Sequence, residues 1–150
     1  MTLKLVELTA DEVIGFNKRA IADDRAKNRH SKQQHQVVRP GDLKSCLGSI
    51  YYQSGGVKAG YVLPLEDMAG LLLYRIAQGQ FFLDGNKRTA LMSCYFFLFN
   101  NGYELRVDKG KMNDLIWGFA TDASNPGQTA PKYKEPDAIQ YVYDNISIRT

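Results

Sequence analysis

The chain is poor in the cysteines and histidines that would build a zinc centre or a disulfide scaffold, and in the long apolar run of a membrane span. Its 150 residues include two cysteines and two histidines. Cys46 and Cys94 each fall in an apolar helical pattern and read as small buried hydrophobes, not as a bridge or a ligand pair. That usage suits a reducing cytoplasm, the expected location. His30 and His35 stand five residues apart in the polar stretch Arg25 to Gln36, whereas side chains sharing a helix face are three or four apart. Both read as solvated, and without Cys or Asp partners no metal is expected on them. The most apolar run, Ala90 to Phe99, is far below the roughly 20 residues a membrane span needs. Met1 to Ala10 lacks the hydrophobic core of a secretory leader. Charge of one sign is scarce as well: 19 Lys and Arg face 16 Asp and Glu, for a net +3. Basic residues between 18 and 44 would make one face positive, but the interleaved aromatic and basic pattern of an RNA-stacking platform is missing. Neither a nucleic acid nor a membrane is therefore an expected partner.

What is present is a helical chain. With 44% apolar residues, 150 positions suffice for one core, and no repeat, low-complexity tract or second domain interrupts them. Thr9-Ala10-Asp11-Glu12 is a capping box, with Leu8 and Val13 at staple spacing, and it opens a helix that turns Val13, Phe16 and Ala20 inward. Lys27 to Val38 reads as a polar, mobile connector. Pro40 opens a second helix with Leu43, Leu47, Ile50 and Tyr51 on one face. Ser54 to Val62 holds three glycines and too little alternation to tell a strand from a loop. Pro64 starts a helix burying Leu65, Met68, Ala69, Leu72 and Ile76. A helix from about Asn86 to Asn100 is apolar nearly all round and is expected at the centre, ended by Asn101-Gly102. Tyr95, Phe96, Phe97 and Phe99 read as core, and Trp117 as core or an interface anchor. Met112, Leu115, Ile116 and Phe119 mark a further helix. Asp122 to Lys134 is loop, and Ile139, Val142, Tyr143 and Ile146 mark a C-terminal helix.

The chemistry is concentrated in one stretch, Gly79-Gln80-Phe81-Phe82-Leu83-Asp84-Gly85-Asn86-Lys87-Arg88-Thr89-Ala90. Gly85 lets backbone approach a ligand and tolerates positive φ. The first amides of the following helix lack intrahelical partners and sit at the positive end of its dipole. Basic residues fit poorly there unless an anion is bound, yet Lys87 and Arg88 occupy that turn. Asp84 is a hard oxygen ligand suited to Mg²⁺ shared with phosphates, and Asn86 both donates and accepts. The pattern is not a P-loop: it lacks G-x-x-x-x-G-K-[ST]. An ordinary turn into a helix explains Gly85-Asn86 alone, but not the entire run.

This run resembles the signature of the Fic/Doc (Fido) family, H-P-F-x-D-[GA]-N-[KG]-R. The likeness extends from about Pro64 to Leu105, with a weaker echo at Arg39-Pro40-Gly41-Asp42-Leu43. It implies an all-α Fic/Doc-like helical bundle over 1–150, with a central buried helix and a short flap hairpin at Ser54 to Val62 that would align a target segment. It implies that Asp84 binds Mg²⁺, that Gly85 and Asn86 cradle the anion, and that Lys87 and Arg88 hold the phosphates of ATP. Family members move part of a nucleotide onto a protein hydroxyl. Lysine at 87 and leucine at 91, where adenylyl-transferring Fic proteins carry glycine and arginine, resemble the Doc (death-on-curing) branch, which implies a protein kinase acting on the translation machinery.

One departure matters. The family histidine, general base for the attacking hydroxyl, falls on Gln80, and the proline on Phe81. Glutamine orients a hydroxyl but cannot take its proton, and loss of a general base costs on the order of 100- to 10,000-fold in rate. A pseudoenzyme that still binds nucleotide, a disarmed toxin and an enzyme whose base comes from elsewhere all fit the sequence. Adenylyl transfer is the alternative chemistry, and a non-catalytic nucleotide- or protein-binding module the alternative class. The family's internal inhibitory pattern, [ST]-x-x-x-E-[GN], is not found here, so control is expected from a separate antitoxin polypeptide. The acceptor is expected to be a Ser, Thr or Tyr hydroxyl of a protein target.

Overall fold

The computed structural model describes residues 5–52, 63–120 and 130–150. The architecture is all-α, with one two-stranded ribbon at the side. Helix α1 (Ala10–Lys27) starts as its capping box dictates: the Glu12 amide donates to Thr9 Oγ1 at 3.2 Å, and the Thr9 amide to Glu12 Oε1 at 3.1 Å. Leu8 is pinned in front of it, its amide donating to the Tyr51 hydroxyl at 2.8 Å and its carbonyl accepting from that hydroxyl at 2.9 Å. Tyr51 closes α2 (Pro40–Tyr51), whose Leu43, Leu47 and Ile50 are buried as their spacing predicts. The α1 face differs from its expectation in one residue that matters below. Asn17 is fully buried beside Val13 and Ala20, while Phe16 is only half-buried and stacks on Phe96 at 5.2 Å.

Helices α3 (Leu65–Gly79) and α4 (Asn86–Asn100) form the centre, and α6 (Glu135–Asn145) packs on the outer side of α3. The all-round apolar character of α4 predicts the central buried helix; α3 shares that place and is the more enclosed of the two. It buries eight residues running almost continuously from Met68 to Leu73, then Ile76 and Ala77. Gly70 permits this: a Cβ there would lie 2.5 Å from Ile139 Cα of α6. On α4, Phe97 is core, whereas Tyr95, Phe96 and Phe99 are half-buried and pack on one another along its flank. Buried Cys94 has its thiol pushed up to about 12 by desolvation, so it stays protonated and inert. Both cysteines are free, and Cys46 is half-buried.

Asn101 and Gly102 (φ 92°) end α4 as expected. Next comes β1 (Tyr103–Leu105), which pairs antiparallel with β2 (Ile146–Ile148), Tyr103 opposite Ile148. Ile146, read from sequence as helical, begins this strand. Three-residue strands carry too little alternation to be legible. Helix α5 (Lys109–Trp117) lies between, with Met112, Leu115 and Ile116 buried, and Phe119 buried just past its end. The flap hairpin expected at Ser54 to Val62, like most of the loop expected from Asp122, lies outside the described residues. Among the described residues no helix is long and apolar enough to cross a membrane.

Candidate active site

The loop joining α3 to α4 is held open from three sides. Gln80 ends α3 in the left-handed region (φ 52°), the only non-glycine there among the described residues, and this costs roughly 1–2 kcal/mol. Phe81 and Phe82 then plunge into the core, at 4% and 1% exposure, and anchor the loop. Gly85 (φ 78°) reverses the backbone into α4. A side chain there would strain the turn and press on Ile21, whose Cδ1 lies 3.1 Å from a notional Cβ. The Asn86 side chain clamps the bend: Nδ2 donates to the Phe82 carbonyl at 2.8 Å and Oδ1 accepts from the Phe82 amide at 3.1 Å. Its second donation, to Gln80 Oε1, is long at 3.5 Å. The amide group read from sequence as part of an anion cradle is thus spent on shaping the loop, and only the Asn86 backbone N–H is left to face a ligand.

Two other segments brace this loop. The polar connector, expected to be mobile, pairs with it along Gln34 to Val38. Val37 bridges Phe82, the Leu83 amide donates to the Gln36 carbonyl, and the Val38 amide donates to the Phe81 carbonyl, both at 2.9 Å. The Gln34 amide donates to Asp84 Oδ2 at 2.9 Å. Arg39 reaches back from the start of α2 to donate to the Gly79 carbonyl and lies over the Phe81 ring at 5.5 Å. The two stretches that carried the family likeness therefore touch.

Beneath the loop lies a buried polar hub on α1. Asn17 Nδ2 donates to the Asp84 carbonyl at 2.8 Å and to Thr89 Oγ1 at 3.0 Å, and Thr89 Oγ1 donates to the Gly85 carbonyl at 2.8 Å. Asn17 Oδ1 meets His35 Nδ1 at 2.6 Å. With the Asn17 amide donating elsewhere, that nitrogen of His35 carries the hydrogen. His35 is therefore half-buried and bonded, not solvated, and desolvation, aided by Lys18, holds its pKa below the usual histidine value. His30 is exposed, as expected.

The site residues named from sequence converge on one cavity of about 430 Å³, lined by Gln33, Gln80, Leu83 to Arg88, Leu91, Asn113, Ile116 and Trp117. The first turn of α4 holds no acid, and no side chain caps it. Its amides and dipole are open to an anion. Lys87 lies over the Trp117 ring, Nζ 3.8 Å from the centroid. Such a contact at an exposed site is worth about 0.5–1 kcal/mol, whereas a charge-assisted hydrogen bond contributes about 1.5–3 kcal/mol. A phosphate would draw the ammonium off the ring. Arg88 is more committed, its Nη1 donating to the Ala20 carbonyl at 2.9 Å, which leaves the other guanidinium nitrogens. Asp84 is the lone acid lining the cavity, and among the described residues no three His, Cys, Asp or Glu cluster. That donor set fits Mg²⁺, which takes one or two carboxylates and completes its shell with phosphate oxygens and water.

Residues 7–98 match the family model described as Fic/DOC family. The chain belongs to the Fic/DOC family. Over 82 residues it is 33% identical to "Protein kinase doc" of Escherichia phage P1, a stretch covering 55% of this chain and 62% of that protein. The matched part of the Fic/DOC chain runs from just before α1 almost to the end of α4, so it holds the motif loop and both braces but not Trp117. Asn17, Gln34, Gln36 and Trp117 complete the site and were missed. A polar residue on an inward helix face was the one available signal, at Asn17. The others act through backbone amides and carbonyls or through a distant helix, which no local pattern records.

Proposed function

We propose that this Fic/DOC protein is a Doc-like phosphotransferase scaffold that binds ATP with Mg²⁺ and acts on a Ser, Thr or Tyr hydroxyl of a protein target in the translation machinery, impaired here by Gln80. The observation that carries the reading is the start of α4: an uncapped helix N-terminus with two cations and no acid, facing a cavity that one carboxylate shares. The amides at Asn86 to Arg88 and the Lys87 ammonium would take phosphate oxygens. Asp84 would hold the metal through the carboxylate oxygen not engaged by Gln34. The metal neutralises phosphate charge when bound. The printed name of the phage P1 relative, a protein kinase, supports the phosphoryl version of the chemistry.

In that reaction the target hydroxyl oxygen attacks the terminal phosphorus, the bond to the bridging oxygen breaks, and ADP leaves. Positioning and charge neutralisation carry most of such a transfer, whose transition state is loose. The hydroxyl proton still needs an acceptor. Gln80 lines the cavity at the family's histidine position, where Oε1 accepts a hydrogen bond but not a proton. Slow or absent turnover, cytoplasmic location and control by a separate antitoxin polypeptide belong to this reading.

The test is Gln80→His, assayed for label transfer from γ-³²P-ATP and α-³²P-ATP to a cell lysate. Histidine is also among the non-glycine residues most at ease in the left-handed region, so the backbone at 80 accommodates it. Gain of γ label, on the order of 100- to 10,000-fold over the parent, is the expected result. Transfer of the α label instead would make it an adenylyl transferase. No transfer of either label with nucleotide still bound would favour a non-catalytic binding module.

A further inference from the structure

Trp117 is placed where folding gains little from it. Met112, Leu115 and Ile116 anchor α5, and the helix stops at Gly118. Trp117, the chain's single tryptophan, is 66% exposed. An exposed indole is the residue type that ligands and partners engage. It lines the α4 cavity, as do Leu83, itself 50% exposed, Leu91 and Ile116. The cavity lining thus has two chemistries: the charged Asp84, Lys87 and Arg88, and the apolar Leu83, Leu91, Ile116 and Trp117. Lys87 joins the two, and among the described residues it has no carboxylate within ion-pair distance, only the indole.

A polyphosphate alone would use half of this site. A molecule with an anionic tail and a flat aromatic head would use both. We infer that Trp117 is the stacking platform for the nucleobase, and that the indole face vacated when Lys87 swings to the phosphates is the face the base covers. This rests on the nucleotide reading above and adds a specificity-determining residue to it. Stacking reads the face of a ring and not its edge, so Trp117 selects nucleotides over bare polyphosphate without choosing strongly among purines.

The test is calorimetric titration of the full chain with ATP and with inorganic tripolyphosphate, both with Mg²⁺, for the parent, Trp117→Ala and Trp117→Phe. Trp117→Ala is expected to weaken ATP about tenfold while leaving tripolyphosphate unchanged or tighter, and Trp117→Phe to keep most of the preference. Far-UV circular dichroism establishes that both variants fold. The fluorescence of Trp117 gives a second readout in the parent, with ATP expected to quench it more than tripolyphosphate does. ATP affinity that survives Trp117→Ala, or a tripolyphosphate affinity that falls in step with it, would overturn the stacking role and leave the anion site standing. If the parent binds neither compound, the nucleotide reading falls and this inference falls with it.

Discussion

Two helix starts in this molecule are built from opposite materials. The start of α1 is finished by its own residues: Thr9 and Glu12 cap each other's amides, and Asp11 and Glu12 meet the positive dipole end. The start of α4 has none of this. Gly85 offers no side chain, the first turn holds no acid, and Lys87 and Arg88 add positive charge where the dipole already supplies it. One start is complete without any other molecule and serves stability. The other is left incomplete, and its unfinished amides are what an anion would satisfy. Asn17 ties the two together, rising from α1 to hold the loop that opens α4.

The sharpest way to break this contrast is to cut the tie. Asn17→Ala leaves the Asp84 carbonyl and Thr89 without their shared donor and opens a hole in a fully buried site. A loss of about 3 kcal/mol is expected, read as a lower urea midpoint at unchanged slope. Lys87→Ala comes next and should separate binding from folding. ATP affinity is expected to drop by about 1.5–3 kcal/mol in calorimetry. Stability should hardly move, because the lost ring contact of about 0.5–1 kcal/mol is offset by removing a cation from the positive helix end, worth about 0.3–1 kcal/mol. Equal losses in both would mean that the α4 start is structural after all. Thr9→Ala is the converse: about 1 kcal/mol of stability lost with ATP affinity unchanged.

The smallest expected effect is a pH dependence at His35. Its folded-state pKa lies below its unfolded value, because burial and Lys18 disfavour the cation. The unfolded chain therefore binds the proton first as pH falls. The stability that His35 contributes is complete above its unfolded pKa of about 6.5 and is lost as pH falls through the folded value. Urea midpoints should decline modestly between pH 7 and pH 5, and His35→Gln, which keeps a donor for Asn17, should flatten that slope. An unchanged slope would remove His35 from the brace.

The legible parts of the molecule are those encoded within a turn or two of chain. The Thr9 capping box, the Pro40 start of α2, the bounds of α4 and the stop at Asn101-Gly102 were readable because each is a local contest among a few residues. The motif from Gln80 to Arg88 was readable for the same reason: Gln80 and Leu83 to Arg88 line one cavity, and Phe81 and Phe82 anchor it in the core. What escaped was set by distance. The connector pairs with the motif loop through backbone groups that every residue has, so Lys27 to Val38 showed only its polarity and looked mobile. Asn86 and Arg88 were read as ligand-facing by residue type, yet the Phe82 backbone and the Ala20 carbonyl claim much of their capacity.

Short-range chemistry was enough to say that this chain folds as helices and that one helix begins in an unfinished, cation-rich bend. Those features follow from neighbouring residues competing for the same few amides and dihedral angles. Packing alone could decide which cations stay free, that Asn17 and the connector hold the bend in shape, and that Trp117 comes from far along the chain to face Lys87. Long-range contacts depend on how whole helices stack, and helices stack by buried area and shape, which no run of residues carries within itself.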